Sequence, residues 1–146
     1  MRYTKGTIGR VFVMKFDDGD ILLKEIERFA RAEDIRSATL IFLGALKSGT
    51  LVTGPQKPVI PPDPHWKDFK GAWEVFGIGT IFSNKNGPQI HIHTAMGKKD
   101  MTLTGCVRKR SSVFLVIEAI VFELKGIRAS KKTDPLTGLN LLKVGA

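Results

Sequence analysis

The stretch Ile90-His91-Ile92-His93-Thr94-Ala95-Met96-Gly97-Lys98-Lys99-Asp100-Met101-Thr102-Leu103-Thr104-Gly105-Cys106 holds two of the chain's three histidines and its only cysteine. Side chains alternate between faces along a strand, so His91 and His93 share a face about 7 Å apart. Gly97-Lys98-Lys99-Asp100 reads as a hairpin turn. If the turn is centred between Lys98 and Lys99, His93 lies opposite Thr104 and His91 opposite Cys106, with Cβ atoms of opposed residues about 5 Å apart. Two imidazoles and a thiol then converge as in a three-ligand transition-metal site with an open position, for which zinc is the natural ion. A one-residue slip of register sends Cys106 to the other face. Ordinary strand histidines hydrogen-bonded to their neighbours would show the same spacing, and a lone cysteine is often a small buried hydrophobe.

Outward from this hairpin the chain reads mostly as strands. Arg10 to Phe16 is a first strand closing at Asp17-Asp18-Gly19. Asp20 is placed to cap a helix, in which Leu22, Leu23, Ile26, Phe29 and Ala30 recur at helical spacing. Ile35 to Leu46 reads as a second strand, broken at Ser48-Gly49 before Thr50-Leu51-Val52-Thr53. Gly54 to Pro64, with five prolines, reads as an exposed loop. Trp73 to Phe82 is a glycine-containing strand, and Asn84-Lys85-Asn86-Gly87 turns it into the histidine strand. Val113 to Leu124 is almost wholly apolar, which predicts burial on both faces. Glu118, within it, then needs a partner or a raised pKa, or acts by orienting a ligating histidine. A basic tail from Lys125 to Ala146 carries a turn at Asp134-Pro135-Leu136-Thr137-Gly138. The fold class is α/β of the α+β type: a mostly antiparallel sheet with one main helix, residues 1–146 forming a single domain.

Composition narrows the function. The 146 residues suffice for a proper core. No apolar run approaches the roughly 20 residues of a membrane span, and no apolar signal region follows Met1. One cysteine excludes an internal disulfide framework; a cytoplasmic location is the expectation. The net charge of +9 favours an anionic partner. Arg108-Lys109-Arg110 is the densest basic cluster, with Lys125, Arg128, Lys131 and Lys132 in the tail. These predict weak, sequence-indifferent binding to the phosphates of duplex DNA. Helix-turn-helix, zinc-finger and RNA-stacking patterns are absent, as are phosphate loops and nucleophile triads. His65, in the proline-rich loop, reads as a surface residue that a loop movement could bring over the site.

Taken in order, these pieces resemble the plant- and prokaryote-conserved (PPC) domain family, over nearly the whole chain. The resemblance rests on Phe16-Asp17-Asp18-Gly19-Asp20 before a single helix and on the strand Leu43-Gly44-Ala45-Leu46-Lys47-Ser48-Gly49. It continues with Trp73-Glu74-Val75-Phe76, His91-Ile92-His93, a glutamate-bearing strand and Asp134-Pro135-Leu136-Thr137-Gly138. The family usually reads Gly-Gly-His where this chain has Thr104-Gly105-Cys106, so Cys106 stands in place of a third histidine. Thiolate is a competent zinc ligand. The resemblance implies an antiparallel α/β fold, a homotrimer, and a DNA-associated or regulatory role. In plants such domains accompany AT-hook motifs, and no Arg-Gly-Arg-Pro core occurs here. The other reading is a zinc-dependent hydrolase or lyase using His91, His93 and Cys106.

Overall fold

The computed structural model describes residues 1–145; Ala146, the last residue of the basic tail, lies outside them. The described chain runs β1 (Thr7–Asp17), α1 (Leu22–Ala32), β2 (Ser37–Pro55), β3 (Pro64–Asn84), β4 (Gly87–Lys98), β5 (Met101–Val107), β6 (Ser112–Lys125), β7 (Ala129–Thr133) and β8 (Asn140–Val144). Six strands form one sheet in the order β1-β6-β2-β3-β4-β5, and β7 and β8 form a separate hairpin. All pairings are antiparallel. The α+β expectation, one main helix on a mostly antiparallel sheet, holds.

The sheet curls far enough to meet itself. β2 pairs with β6 from Ala38 to Ser48, then with β5 at Leu51 and Val52. Gly105 permits that closure, because a Cβ there would stand 2.6 Å from the Val52 carbonyl oxygen. Ser48-Gly49 is not a break. The strand runs on through it with a bulge between Leu46 and Ser48, and β2 and β3 stay paired past the β5 contact as an arm ending at Pro55 and Pro64. The proline-rich loop is therefore shorter than expected, because prolines at the ends of an arm cost few ladder hydrogen bonds.

The amphipathic helix forms where its spacing predicts, burying Leu22, Ile26 and Ala30. They join Phe16, Leu40, Leu46, Ile81, Ile92, Ile117 and Val121 in one core on the inner face of the sheet. Asp20 does not cap it. Its carboxylate accepts the Asp17 amide at 2.9 Å, and the N-cap residue is Ile21, whose side chain offers no cap. The Leu22 amide instead donates to the Ser111 carbonyl at 3.0 Å.

β6 departs from its predicted burial on both faces. Val113, Ile117, Ala119 and Val121 are buried, but Phe114, Glu118 and Ile120 are exposed. One helix covers one face only. Glu118 thus faces solvent and needs no partner. The buried carboxylate is Glu123, on the inner face: Arg10 Nε and Lys125 Nζ each lie 2.9 Å from it.

Candidate metal centre

Cross-strand register builds the site. On the outer face, pairing runs unbroken from Val13 to Ile120, Ile41, Ile78, His93 and Cys106, one residue from each strand of the sheet. The first four are apolar, and the row ends in an imidazole and a thiol. The hairpin between β4 and β5 is centred one residue later than expected, so His93, not His91, opposes Cys106. That moves the register by two positions, an even number that leaves Cys106 on the histidine face. Extending the same register by two pairs would set Arg108 opposite His91.

The two imidazoles meet edge to face, their ring centroids 4.9 Å apart, and the Nε2 atoms are separated by 3.2 Å. Two nitrogens each bound at 2.0–2.1 Å to a tetrahedral ion lie about 3.3 Å apart. The donor atoms of His91, His93 and Cys106 all fall within 4.8 Å of one another. A zinc-bound sulfur sits about 3.6 Å from each nitrogen, and side-chain rotation spans the remainder. Both histidines are exposed; Cys106 is buried. A mixed nitrogen and thiolate set of this shape fits a zinc-class ion with an open fourth position.

The electrostatics come from two residues that the hairpin motif did not include. Burial lowers the His91 pKa, and positive charge on His93, Lys131 and Arg108 lowers it further. Burial pushes the Cys106 thiol up, while Arg108 and Lys131 pull it back. Lys131 is itself held below the usual lysine range by burial, with Cys106 acting the other way. It arrives from β7, because the turn at Asp134 folds the tail into a hairpin. The Asp134 carboxylate accepts both the amide and the hydroxyl of Thr137 at 3.0 Å. That turn was legible in the sequence; its destination, the outer face beside His91, was not.

Other predicted residues lie elsewhere. His65 is on the β3 arm, its Nδ1 2.8 Å from the Thr53 hydroxyl, and it is not in the donor group. Glu118 lines an apolar groove of about 540 Å³ with Val13, Ile41, Leu43, Phe76 and Ile78. His93 closes one end of that groove, but Glu118 makes no hydrogen bond to either histidine. The basic trio divides. Arg108 is half-buried beside the donor group, whereas Lys109 and Arg110 are exposed in the turn after β5 and border a shallow cavity with Lys24 and Glu27.

The model of the Plants and Prokaryotes Conserved (PCC) domain matches residues 3–125. The chain belongs to the PCC domain family. The resemblance seen in its motifs is thereby established, and β7 and β8 lie beyond the matched span. Among solved structures, a metal-containing protein of Archaeoglobus fulgidus is similar at 24% identity and a TM-score of 0.85, covering 98% of this chain and 99% of that one. A plant- and prokaryote-conserved protein of Pyrococcus horikoshii is similar at 23% identity and 0.85, covering 100% and 99%. A candidate DNA-binding protein of Ralstonia eutropha JMP134 is similar at 21% identity and 0.75, covering 91% and 90%. At these identities the likeness is one of fold. No curated protein matches the chain. Among the described residues, no helix is long and apolar enough to cross a membrane.

Proposed function

We propose that residues 1–146 form a single PCC-type domain that holds one zinc-class ion at His91, His93 and Cys106 and assembles as a homotrimer. The observation that carries the metal reading is the 3.2 Å separation of two exposed Nε2 atoms beside a thiol. The metal-containing description of the Archaeoglobus fulgidus protein supports it. The bound ion would supply Lewis acidity and lower the pKa of a water at its open position. His91 favours the neutral, ligating form of its ring; burial holds the Cys106 thiol up, and Arg108 and Lys131 offset part of that towards thiolate. Whether the centre is structural or serves a hydrolase or lyase is decided by what occupies the fourth position. Cobalt substitution tests the donor set. A thiolate-to-cobalt charge-transfer band should appear in the wild type and vanish in Cys106→Ser; its absence from the wild type would remove Cys106 from the set.

The trimer rests on the family resemblance and is supported by the outer-face row. Val13, Ile41, Leu43, Phe76 and Ile78 are 46–83% exposed. Burying side chains of this size is favourable by about 1.5–3 kcal/mol each, and a second copy of the chain is the cover proposed. Replacing Phe76 and Ile78 by glutamate should turn the assembly into monomers in sedimentation; an unaltered trimer would move the interface elsewhere.

A second reading, weak duplex DNA binding through Arg108, Lys109 and Arg110, is favoured by the net charge of +9 and by the description of the Ralstonia eutropha protein. The sequence carries no helix-turn-helix or zinc-finger pattern, so the contacts would be to phosphates.

A further inference from the structure

Beside the donor group, the turn between β3 and β4 and the hairpin of β7 and β8 enclose a cavity of about 650 Å³. We infer that this cavity is a binding site for a phosphate-bearing small molecule.

Three lysines line it: Lys85 from the turn, and Lys131 and Lys132 from β7. No carboxylate lines it, and none of the three lysines takes part in an ion pair among the described residues. Lys131 is half-buried, so its charge is partly withdrawn from water, and no carboxylate among the described residues pairs with it; an anion in the cavity would supply that partner. Elsewhere the chain pairs its charges where carboxylates are at hand. Arg31, at the edge of the same turn, is bonded to Glu27 at 2.8 Å.

The walls are neutral hydrogen-bonding groups held in place by one another. The Asn140 side-chain amide Nδ2 donates to Gln89 Oε1 at 3.3 Å, which ties the tail hairpin to β4. The Gln89 amide in turn lies 3.5 Å from Asn84 Oδ1. Three positive charges exceed what a single carboxylate needs. They suit a phosphate, whose several acceptor oxygens take lysine ammonium groups as charge-assisted donors. The volume admits a metabolite-sized molecule.

Its position gives the pocket a consequence. Gln89 lies two residues before His91 on the same face of β4, and Lys131 acts on both His91 and Cys106. A ligand anchored by its phosphate therefore extends towards the donor group. The pocket does not depend on the metal reading; only this consequence rests on it.

Calorimetric titration of chelator-treated protein with inorganic pyrophosphate tests the pocket without any metal. We expect saturable binding near one equivalent per chain, weakened about tenfold or more in Lys85→Gln/Lys132→Gln. Lys57→Gln/Lys67→Gln, which removes the same charge from the β2–β3 arm, should leave the affinity unchanged. Both lysine pairs are exposed, so folding is not at risk. Equal affinity in wild type and both double variants, or no binding to the wild type, would overturn the site. A short duplex DNA should not displace the pyrophosphate; displacement would make the phosphates those of nucleic acid and overturn the small-molecule assignment.

Discussion

Two polar clusters occupy opposite faces of the same sheet, and they are finished to different degrees. On the inner face the Glu123 carboxylate is 5% exposed and fully answered. Arg10 reaches it through its backbone amide, Nε and Nη2, Lys125 adds an ammonium, and its pKa falls to about 2, chiefly through the Arg10 hydrogen bond. Arg10 is then held from behind by Glu33 at 3.0 Å. On the outer face two imidazole nitrogens face each other at 3.2 Å beside a thiol, and the charges that perturb His91 and Cys106 are positive. An ion pair that closes on itself stabilises a fold. Three donors with one-sided surroundings are arranged for something that arrives later.

The sharpest way to separate the two clusters is to remove one member of each. His91→Ala or His93→Ala should lower zinc affinity by more than about 100-fold, beyond the loss typical of a ligand's supporting partners. Both rings are exposed, so the melting temperature of the metal-free protein should hardly move. Competition with a chromophoric chelator measures the first and thermal unfolding the second. Glu123→Ala should do the reverse, costing about 1–3 kcal/mol of stability as Arg10 and Lys125 lose their shared acceptor, with zinc affinity unchanged. If Glu123→Ala weakened zinc as much as His91→Ala, the two faces would be one coupled unit and the contrast would fail.

Acid divides them again, with opposite readouts. The folded-state pKa of Glu123 is depressed, so its stabilising contribution is complete above the ordinary carboxylate value of 4.5 and is lost as pH falls from there towards 2. The His91 pKa is also lowered, from 6.5, so its ring stays neutral further into the acid range than a free histidine. Zinc must also displace the proton of Cys106, whose thiol burial holds above its ordinary range, so apparent zinc affinity should climb with pH through the neutral range. On acidification the His91 contribution should persist below 6.5 until its ring protonates. Parallel titrations of zinc affinity and of unfolding free energy should show the metal step at higher pH than the Glu123 step. A metal step that coincides with acid unfolding would mean that the donors owe their arrangement to the fold alone.

The smallest effect is expected from Arg108→Ala/Lys109→Ala/Arg110→Ala. It should lower duplex DNA affinity about equally for unrelated sequences and reduce the log–log salt slope by about 3 at most. Since Arg108 is half-buried at the donor group while Lys109 and Arg110 are exposed, the loss should fall mainly on the latter two. A strong preference for one DNA sequence would reveal a reading element absent from this account.

What could be read from the sequence was whatever local chemistry decides. The helix followed from the spacing of Leu22, Ile26 and Ala30, and the shared face of His91 and His93 from strand alternation. Cys106 joined them through the hairpin turn, although the turn was placed one residue early; parity saved the face. The rest depends on contacts distant in sequence. The second face of β6 was expected to be buried because its residues are apolar, yet nothing local says that a single helix covers one side. Asp20 had the right chemistry for a cap, but a backbone carbonyl at Ser111, brought in by β6, took the helix amide first. Arg10 and Glu123 are separated by almost the whole chain, and Lys131 reaches the donor group only because the tail folds back. No periodicity encodes these meetings.

The central claim is that the outer-face cluster is a metal centre, and counting metal on the purified protein tests it most directly. Wild-type protein, exposed to zinc and freed of excess by gel filtration, should retain close to one zinc per chain by elemental analysis, and His91→Ala/His93→Ala almost none. Wild-type protein that retains no more zinc than the double variant would contradict the account.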